Sequence, residues 1–407
     1  MNVRPQRILY IVSLFPCWSE TFIVREIAAL IASGVDVQIL SLKAPCEKMV
    51  QPDAERLMPR ARHPLGAGPA TLARARAFAA HPILWSSIFA RVAARLSKRP
   101  VDLGKSFEAL ARGMEHLDWI RDFDPDVIYA HWATFPSTVA WALARVLDKP
   151  FGFTCHAHDI FVNDHLLKEK IESADLAVTI SDFNVNWLAE HATPRARQNL
   201  KVVHCGVELA QIPFRTDGRE PALIVTVGRL DAIKGFDVLI GAIAELARKG
   251  RQVRCKIIGE GPLRSELEGL IARHGIQSMV QLTGAMPQIE VRDALYSASI
   301  FALPSVVTET GDRDGIPVSL MEAMAAGTPS VSTRVSGIPE LITDDSEGLL
   351  VPERDAFALA RALARLLDEP QLGKRLAVAA RAKIEREFDA TLEARKMLHL
   401  FADASVT

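Results

Sequence analysis

No apolar run in this 407-residue chain approaches the roughly 18 residues that a membrane-spanning helix requires. Cysteine is scarce: the five residues Cys17, Cys46, Cys155, Cys205 and Cys255 form no CxxC pair, and an odd number cannot all be bridged. A reducing compartment is the natural home for such a chain. A formal net charge of −1 leaves no basic excess for general binding of nucleic acid. No leader-like segment stands before the first apolar run, so the expectation is a cytoplasmic protein, soluble or peripheral. Internal repeats and low-complexity tracts are absent too. Between Arg56 and Val101 the missing element is acid: nine Lys and Arg residues and no carboxylate.

What is present is a regular alternation of short apolar runs and helical periods. Arg7–Val12 (RILYIV) reads as a buried strand, and Val37–Leu42 as the next. Between them Phe22, Ile23, Ile27, Leu30 and Ile31 repeat at helical spacing, with Ser19 available as a cap and Gly34 as a stop. Strand, helix and strand at this spacing make a βαβ unit and hence a parallel sheet. The pattern lapses between about 44 and 125, read as a helical, basic insertion, and resumes with strands near 127–130, 151–154, 176–180 and 201–203. Residues 208–221 carry two prolines, a glycine and mixed charge, and read as a linker. A second series of strands and helices follows. The expected domains are 1–207 and 208–388, with the last helix, 389–407, returning to the first.

Ligands of open parallel sheets collect at the carboxyl ends of the strands. In the first domain those positions hold His131, His156, His158 and Ser181. In the second, Arg229 and Lys234 sit in a strand-to-helix turn flanked by Gly228 and Gly235, where two cations can neutralise a diphosphate. Glu260 and Gly261 occupy the next turn. Further on, DGIPVSLMEAMAAG (Asp314–Gly327) reads as a short helix, apolar almost all round and closed by Gly327, so it should be buried. Its N-terminus, at Gly315, Ile316, Pro317 and Val318, offers unsatisfied N–H groups to a phosphate. Asp314 and Glu322, with seven residues between them, are acceptors suited to sugar hydroxyls.

Three ordered motifs, VGRLDAIKG (Val227–Gly235), IIGEGPLR (Ile257–Arg264) and DGIPVSLMEAMAAGTPSVST followed by SGIPELI, together resemble the retaining glycosyltransferases of family 4, which includes sucrose-phosphate synthase. The N-terminal FPCWSETFIVREIAALIASGVDVQILSL resembles a bacterial exopolysaccharide, colanic-acid-type branch of it. The resemblance implies an α/β chain of the GT-B architecture, two facing Rossmann-like domains with a C-terminal crossover helix. It implies a UDP- or GDP-sugar donor, a saccharide or lipid-linked saccharide acceptor, no cofactor and no metal. Arg229 and Lys234 would bind the donor's phosphates, Asp314 the sugar and Glu322 the ribose. Glu260 and Gly261 would lie near the nucleotide, and His156 near the donor sugar. His131 and His158 fall on the acceptor side. Two departures matter: the first acid is usually Glu, which makes Glu309 a competitor of Asp314, and SLFPCWSET replaces the glycine-rich turn after the first strand.

Rival readings are a non-hydrolysing nucleotide-sugar epimerase of similar architecture and a non-catalytic sugar-nucleotide-binding scaffold. The acid-free stretch 56–101 has a reading of its own. Its cations suit anionic headgroups at the inner face of the cytoplasmic membrane, and Trp85, Ile88 and Phe89 suit the acyl boundary. The bland alternative is a helical insertion packed on the first domain with a solvated basic face.

Overall fold

The computed structural model describes residues 6–17, 20–46, 52–163 and 165–405. The chain forms two compact units, Met1–Val203 with Thr391–Thr407, and His204–Ala390.

In the first unit β1 (Arg7–Val12), β2 (Asp36–Ser41), β3 (Ala61–Arg62), β4 (Val127–His131), β5 (Phe151–Cys155), β6 (Leu176–Thr179) and β7 (Leu200–Val202) form one sheet. Their order is β3-β2-β1-β4-β5-β6-β7, and every pairing is parallel. Helices cover both faces, which is why the strands read as continuous apolar runs rather than as alternating ones. One face buries Ile23, Ile27 and Leu30 of the helix Thr21–Ala32, together with Met397 and Phe401 of the helix Ala390–Ala404. Gln6 ties that last helix down by donating to the Phe401 carbonyl at 2.8 Å. The other face buries Trp85, Leu110, Val139 and Leu143 against Leu9, Ile128 and Phe153. Ser19, which the sequence offers as a cap, lies outside the described residues; the helix begins at Thr21, with Glu20 in the cap position.

The second unit repeats the plan. Here β8 (Glu220–Val227), β9 (Arg254–Ile258), β10 (Val280–Gly284), β11 (Ala298–Leu303), β12 (Ser330–Thr333) and β13 (Leu349–Val351) lie in the order β10-β9-β8-β11-β12-β13, again all parallel. The boundary between units falls at Val203/His204, four residues before the position read from the sequence. The reason is Val207: it is fully buried, its N–H donates to the Phe388 carbonyl at 2.8 Å, and its own carbonyl accepts from Ala390 at 3.0 Å. Those bonds hold the linker to the end of the second unit.

The segment 44–125 differs from its sequence reading in one respect and agrees with the packed-insertion alternative in another. It contains β3, a two-residue edge strand that pairs Ala61 with Ile39, too short to leave a pattern. More importantly, its apolar side faces inward. Trp85 is fully buried, its indole N–H donating to the Ala77 carbonyl at 3.1 Å, and Ile88 is buried beside it. Phe89 stands edge-on to Phe107 with ring centres 5.1 Å apart. Trp85 and Ile88 are core, and Phe89 is half-buried against them, so the side read as an acyl boundary is turned into the protein. Several cations are engaged as well: Arg74 pairs with Glu115 and Arg95 with Glu169, each at 2.6 Å, and Arg91 lies over the Trp141 ring. The large apolar groups of the segment that do reach the surface are Leu72, Phe78, Ile83 and Val101, with Ile83 83% exposed. Among the described residues no single helix is long and apolar enough to cross a membrane. The helices Ala67–Ala80 and Pro82–Leu96 reach that length only as a pair bent by 104°.

Trp85 therefore decides between core and surface. Trp85→Ala should lower the unfolding free energy by about 3–5 kcal/mol, the cost of truncating a buried aromatic. Denaturant unfolding measures it, and a change below about 0.5 kcal/mol is the behaviour of a surface residue.

Candidate functional site

The second unit brings its sequence-marked residues to one end of its sheet. Strand β8 ends in Gly228–Gly235, and the neighbouring β11 ends in the loop that leads to Asp314. Lys234 Nζ lies 2.6 Å from Asp314 Oδ1, and both side chains are largely buried. Ser305, fully buried at the end of β11, donates its hydroxyl to Asp314 Oδ2 at 2.7 Å. Asp314 is thus oriented from both sides, and Lys234 is held where the two turns meet. Arg229 is different: its side chain is 71% exposed, with Asp231 as a loose neighbour at 3.8 Å. One cation is held by a largely buried carboxylate and the other stands exposed.

Glycine makes this approach of backbones feasible. Gly235 has φ +62, and a Cβ there would meet the Pro304 carbonyl oxygen at 2.0 Å. Gly261 packs as closely on the first turn, where a Cβ would lie 2.5 Å from the Leu230 oxygen. Leu230 N–H donates to Glu260 O at 3.0 Å and Leu263 N–H donates to Leu230 O at 3.1 Å, so the turns after β8 and β9 are laced together. The Glu260 carboxylate faces outward and pairs with Arg264 at 2.9 Å.

The helix Val318–Ala325 is buried along Leu320–Ala325, Glu322 included. Pro317 is its cap residue with extended backbone, and no side chain caps the first turn. Ser319 anchors that turn to β8 by donating to the Val227 carbonyl at 2.8 Å. Glu322 accepts from Gln288 Nε2 at 3.3 Å. Glu309 does not share this place. It is exposed and lines a cavity of about 480 Å³ with Asp231, Phe236, Glu266 and Arg354.

In the first unit the structure joins His131 and His156 and leaves His158 apart. The rings of His131 and His156 stack, with Nδ1 of the first 3.1 Å from Nε2 of the second. His158 is exposed and contacts Asn163 at 2.9 Å. Ser181 caps the helix Asp182–His191 by accepting from the Asn184 N–H, a structural duty. Burial, the largest cause, pushes the His156 imidazole well below its ordinary range, so it is neutral.

Four participants escaped the sequence reading. Glu26 accepts from the Tyr10 hydroxyl at 2.7 Å and lies 3.1 Å from His131 Nε2. Glu20 accepts from the Trp132 indole at 3.1 Å; burial, the largest cause, raises its carboxyl to about 6. Trp132 has φ +77, a strained value for a bulky residue. Ser305 is the fourth. One signal was available: Glu26 follows Ile23 by three residues and precedes Leu30 by four, so a carboxylate stands on the helix's apolar stripe.

Models of two known families match adjoining parts of the chain: Glycosyltransferase Family 4 over residues 19–211, and Glycosyl transferases group 1 over residues 211–383. The chain is 32% identical to the glycosyltransferase WcaL of Escherichia coli (strain K12), whose name refers to colanic acid biosynthesis, over 95% of this chain and 97% of that one. It is 40% identical to the amylovoran biosynthesis glycosyltransferase AmsK of Erwinia amylovora over half of each chain. Among solved structures, sucrose-phosphate synthase from Thermosynechococcus elongatus superposes with TM-score 0.74 at 20% identity, over 98% of each chain. HepE from Anabaena, solved with UDP and glucose, gives 0.68 at 16% identity, over 97% of this chain and 98% of that one.

The Glu20 carboxyl carries a pH test. Its pKa is about 6 in the folded state against an ordinary 4.5, so it binds its proton more tightly folded than unfolded. Its favourable contribution is complete below about 4.5 and fades as pH rises to about 6. Relative to Glu20→Gln, the wild type should lose up to about 2 kcal/mol between pH 4 and pH 7. Thermal unfolding of both proteins across that range measures the difference, and a gain with pH contradicts the assignment.

Proposed function

The chain belongs to glycosyltransferase family 4, with the GT-B fold of two parallel-sheet Rossmann-like domains, and from that premise we propose that it moves a hexose from a nucleoside-diphosphate sugar to a saccharide acceptor. The observation that carries this reading is Lys234, held by Asp314 just ahead of the helix Val318–Ala325, with Arg229 exposed on the same turn as Lys234. Two cations and a helix terminus are what a departing diphosphate needs, and oriented charge of this kind is commonly the largest single contribution to catalysis. Glu322 is the acceptor for a ribose hydroxyl, and Asp314 orients Lys234 while bordering the sugar. Because the leaving phosphate can take the acceptor's proton, no protein base is required, and the configuration of the anomeric carbon is retained.

The names of WcaL and AmsK support exopolysaccharide assembly as the setting, with an acceptor carried on a lipid. A peripheral contact with the membrane fits that acceptor. With Trp85 and Ile88 in the core, the contact falls to the exposed Leu72, Phe78, Ile83 and Val101 and to the cations around them. Each basic residue near an anionic surface is worth about 1 kcal/mol, an attraction that salt screens.

Two measurements test this reading. Lys234→Ala and Arg229→Ala should each raise the barrier by roughly 2–4 kcal/mol, a loss of roughly 10²–10³ in kcat, with the fold intact. Unchanged turnover in both would remove the cations from the reaction, and epimerised nucleotide sugar formed without acceptor would identify an epimerase instead. Separately, the protein should sediment with anionic but not zwitterionic vesicles and be released by salt. Reversing the exposed Arg76, Lys98 and Arg99 to Glu should abolish that; equal sedimentation of both proteins would mean that the segment is packing alone.

A further inference from the structure

Tyr10, Glu26, His131 and His156 make an unbroken polar row inside the first unit. The Tyr10 hydroxyl donates to Glu26 Oε1 at 2.7 Å, and His131 Nε2 lies 3.1 Å from that same oxygen. His131 Nδ1 in turn lies 3.1 Å from His156 Nε2. Three of the four residues come from the carboxyl-end halves of β1, β4 and the turn after β5, and Glu26 reaches them from the helix Thr21–Ala32.

With both imidazoles neutral and Glu26 ionised, such a row admits one placement of its protons. Tyr10 is fully buried, which raises its phenol well above the ordinary value, so it keeps its hydrogen and donates. A carboxylate only accepts. Nε2 of His131 must then carry a hydrogen, which it directs at Glu26. A neutral imidazole with Nε2 protonated has its lone pair on Nδ1, so His156 must donate from Nε2 into it. What remains on His156 is a lone pair at Nδ1.

The ring positions themselves are fixed by other groups. Phe22 packs on His156 with ring centres 4.9 Å apart, and Trp132 at 4.6 Å. The strained turn that carries Trp132 is clamped by Lys170, whose buried ammonium donates to the carbonyls of Ala133 and Thr134 at 2.7 and 2.8 Å. Asp159 accepts from the N–H groups of Ala133 and His156 at 2.6 and 2.9 Å. The remaining charged neighbours are Glu20, which interacts with His131, and Lys43 beside Glu20. None of these groups dictates which ring nitrogen holds the hydrogen. Glu26 does.

We propose that Glu26 is a positioning residue: it sets the tautomers of His131 and His156 so that His156 presents Nδ1 as a hydrogen-bond acceptor to a substrate hydroxyl. The identity of that hydroxyl rests on the glycosyltransferase reading above; the proton order does not. This also explains why a carboxylate stands on the apolar stripe of its helix, where an aliphatic residue would pack with less desolvation.

The test combines a spectrum with kinetics. In nitrogen-15 long-range spectra of the full chain labelled at histidine, both His131 and His156 should show the Nε2–H tautomer. Glu26→Ala should destroy that order at His156 and lower kcat about tenfold or more, with donor KM within about twofold. Glu26→Gln, whose amide oxygen still accepts from His131, should restore the tautomer and most of the rate. A wild-type His156 protonated on Nδ1, or a Glu26→Ala protein with unaltered tautomers and kcat, overturns the proposal. Should the wild type show no transfer at all, the activity assignment fails while the spectra still decide the role of Glu26.

Discussion

The contact between Lys234 Nζ and Asp314 Oδ1 joins turns that stand 80 residues apart in the chain. Everything else at this end of the second sheet is arranged around it. Strands β8 and β11 are neighbours, so the turns that follow them meet, and Gly235 lets the first turn press against Pro304 without a side chain between them. Ser305 fixes the far oxygen of Asp314. A largely buried ion pair of this kind is weak evidence of stability, because desolvation offsets much of the attraction. Its value lies in holding an ammonium group at a fixed point, with a carboxylate that an incoming polyanion can replace as partner.

That chemistry gives the shorter acid a meaning. The family's usual Glu has one more methylene, whereas Asp314 is drawn back onto Ser305 and Lys234. In the proposed reaction it would act through Lys234 as much as on the sugar. Glu309, the alternative upstream, is exposed and outside this arrangement.

The fold was legible because parallel strands buried on both faces leave continuous apolar runs, and helices such as Val318–Ala325 carry their own stop, here Gly327 with φ +82. The motif turns were legible as places of close backbone approach, because glycine stands where a Cβ would meet a neighbouring carbonyl, at Gly235 and Gly261. Two things were not. Periodicity shows that the helix Pro82–Leu96 has an apolar face, yet it cannot say what covers that face, and the cover proved to be Val139 and Leu143 rather than lipid. Nor does a strand-end histidine disclose its partner. His156 was marked by position, but Glu26 reaches it through His131 from a helix more than a hundred residues earlier, a contact that exists only once β1, β4 and β5 lie side by side.

If the Lys234–Asp314 pair is a cation waiting for a diphosphate, then removing the carboxylate should help the nucleotide and harm the reaction. Calorimetric titration of UDP and GDP into the wild type and Asp314→Asn tests this most directly. The account predicts tighter binding of the preferred nucleoside diphosphate by the variant, by roughly the several-fold factor that relief of one screened like charge provides, together with lower turnover. Weaker diphosphate binding by Asp314→Asn would contradict it and would return Asp314 to a role in assembling the pocket.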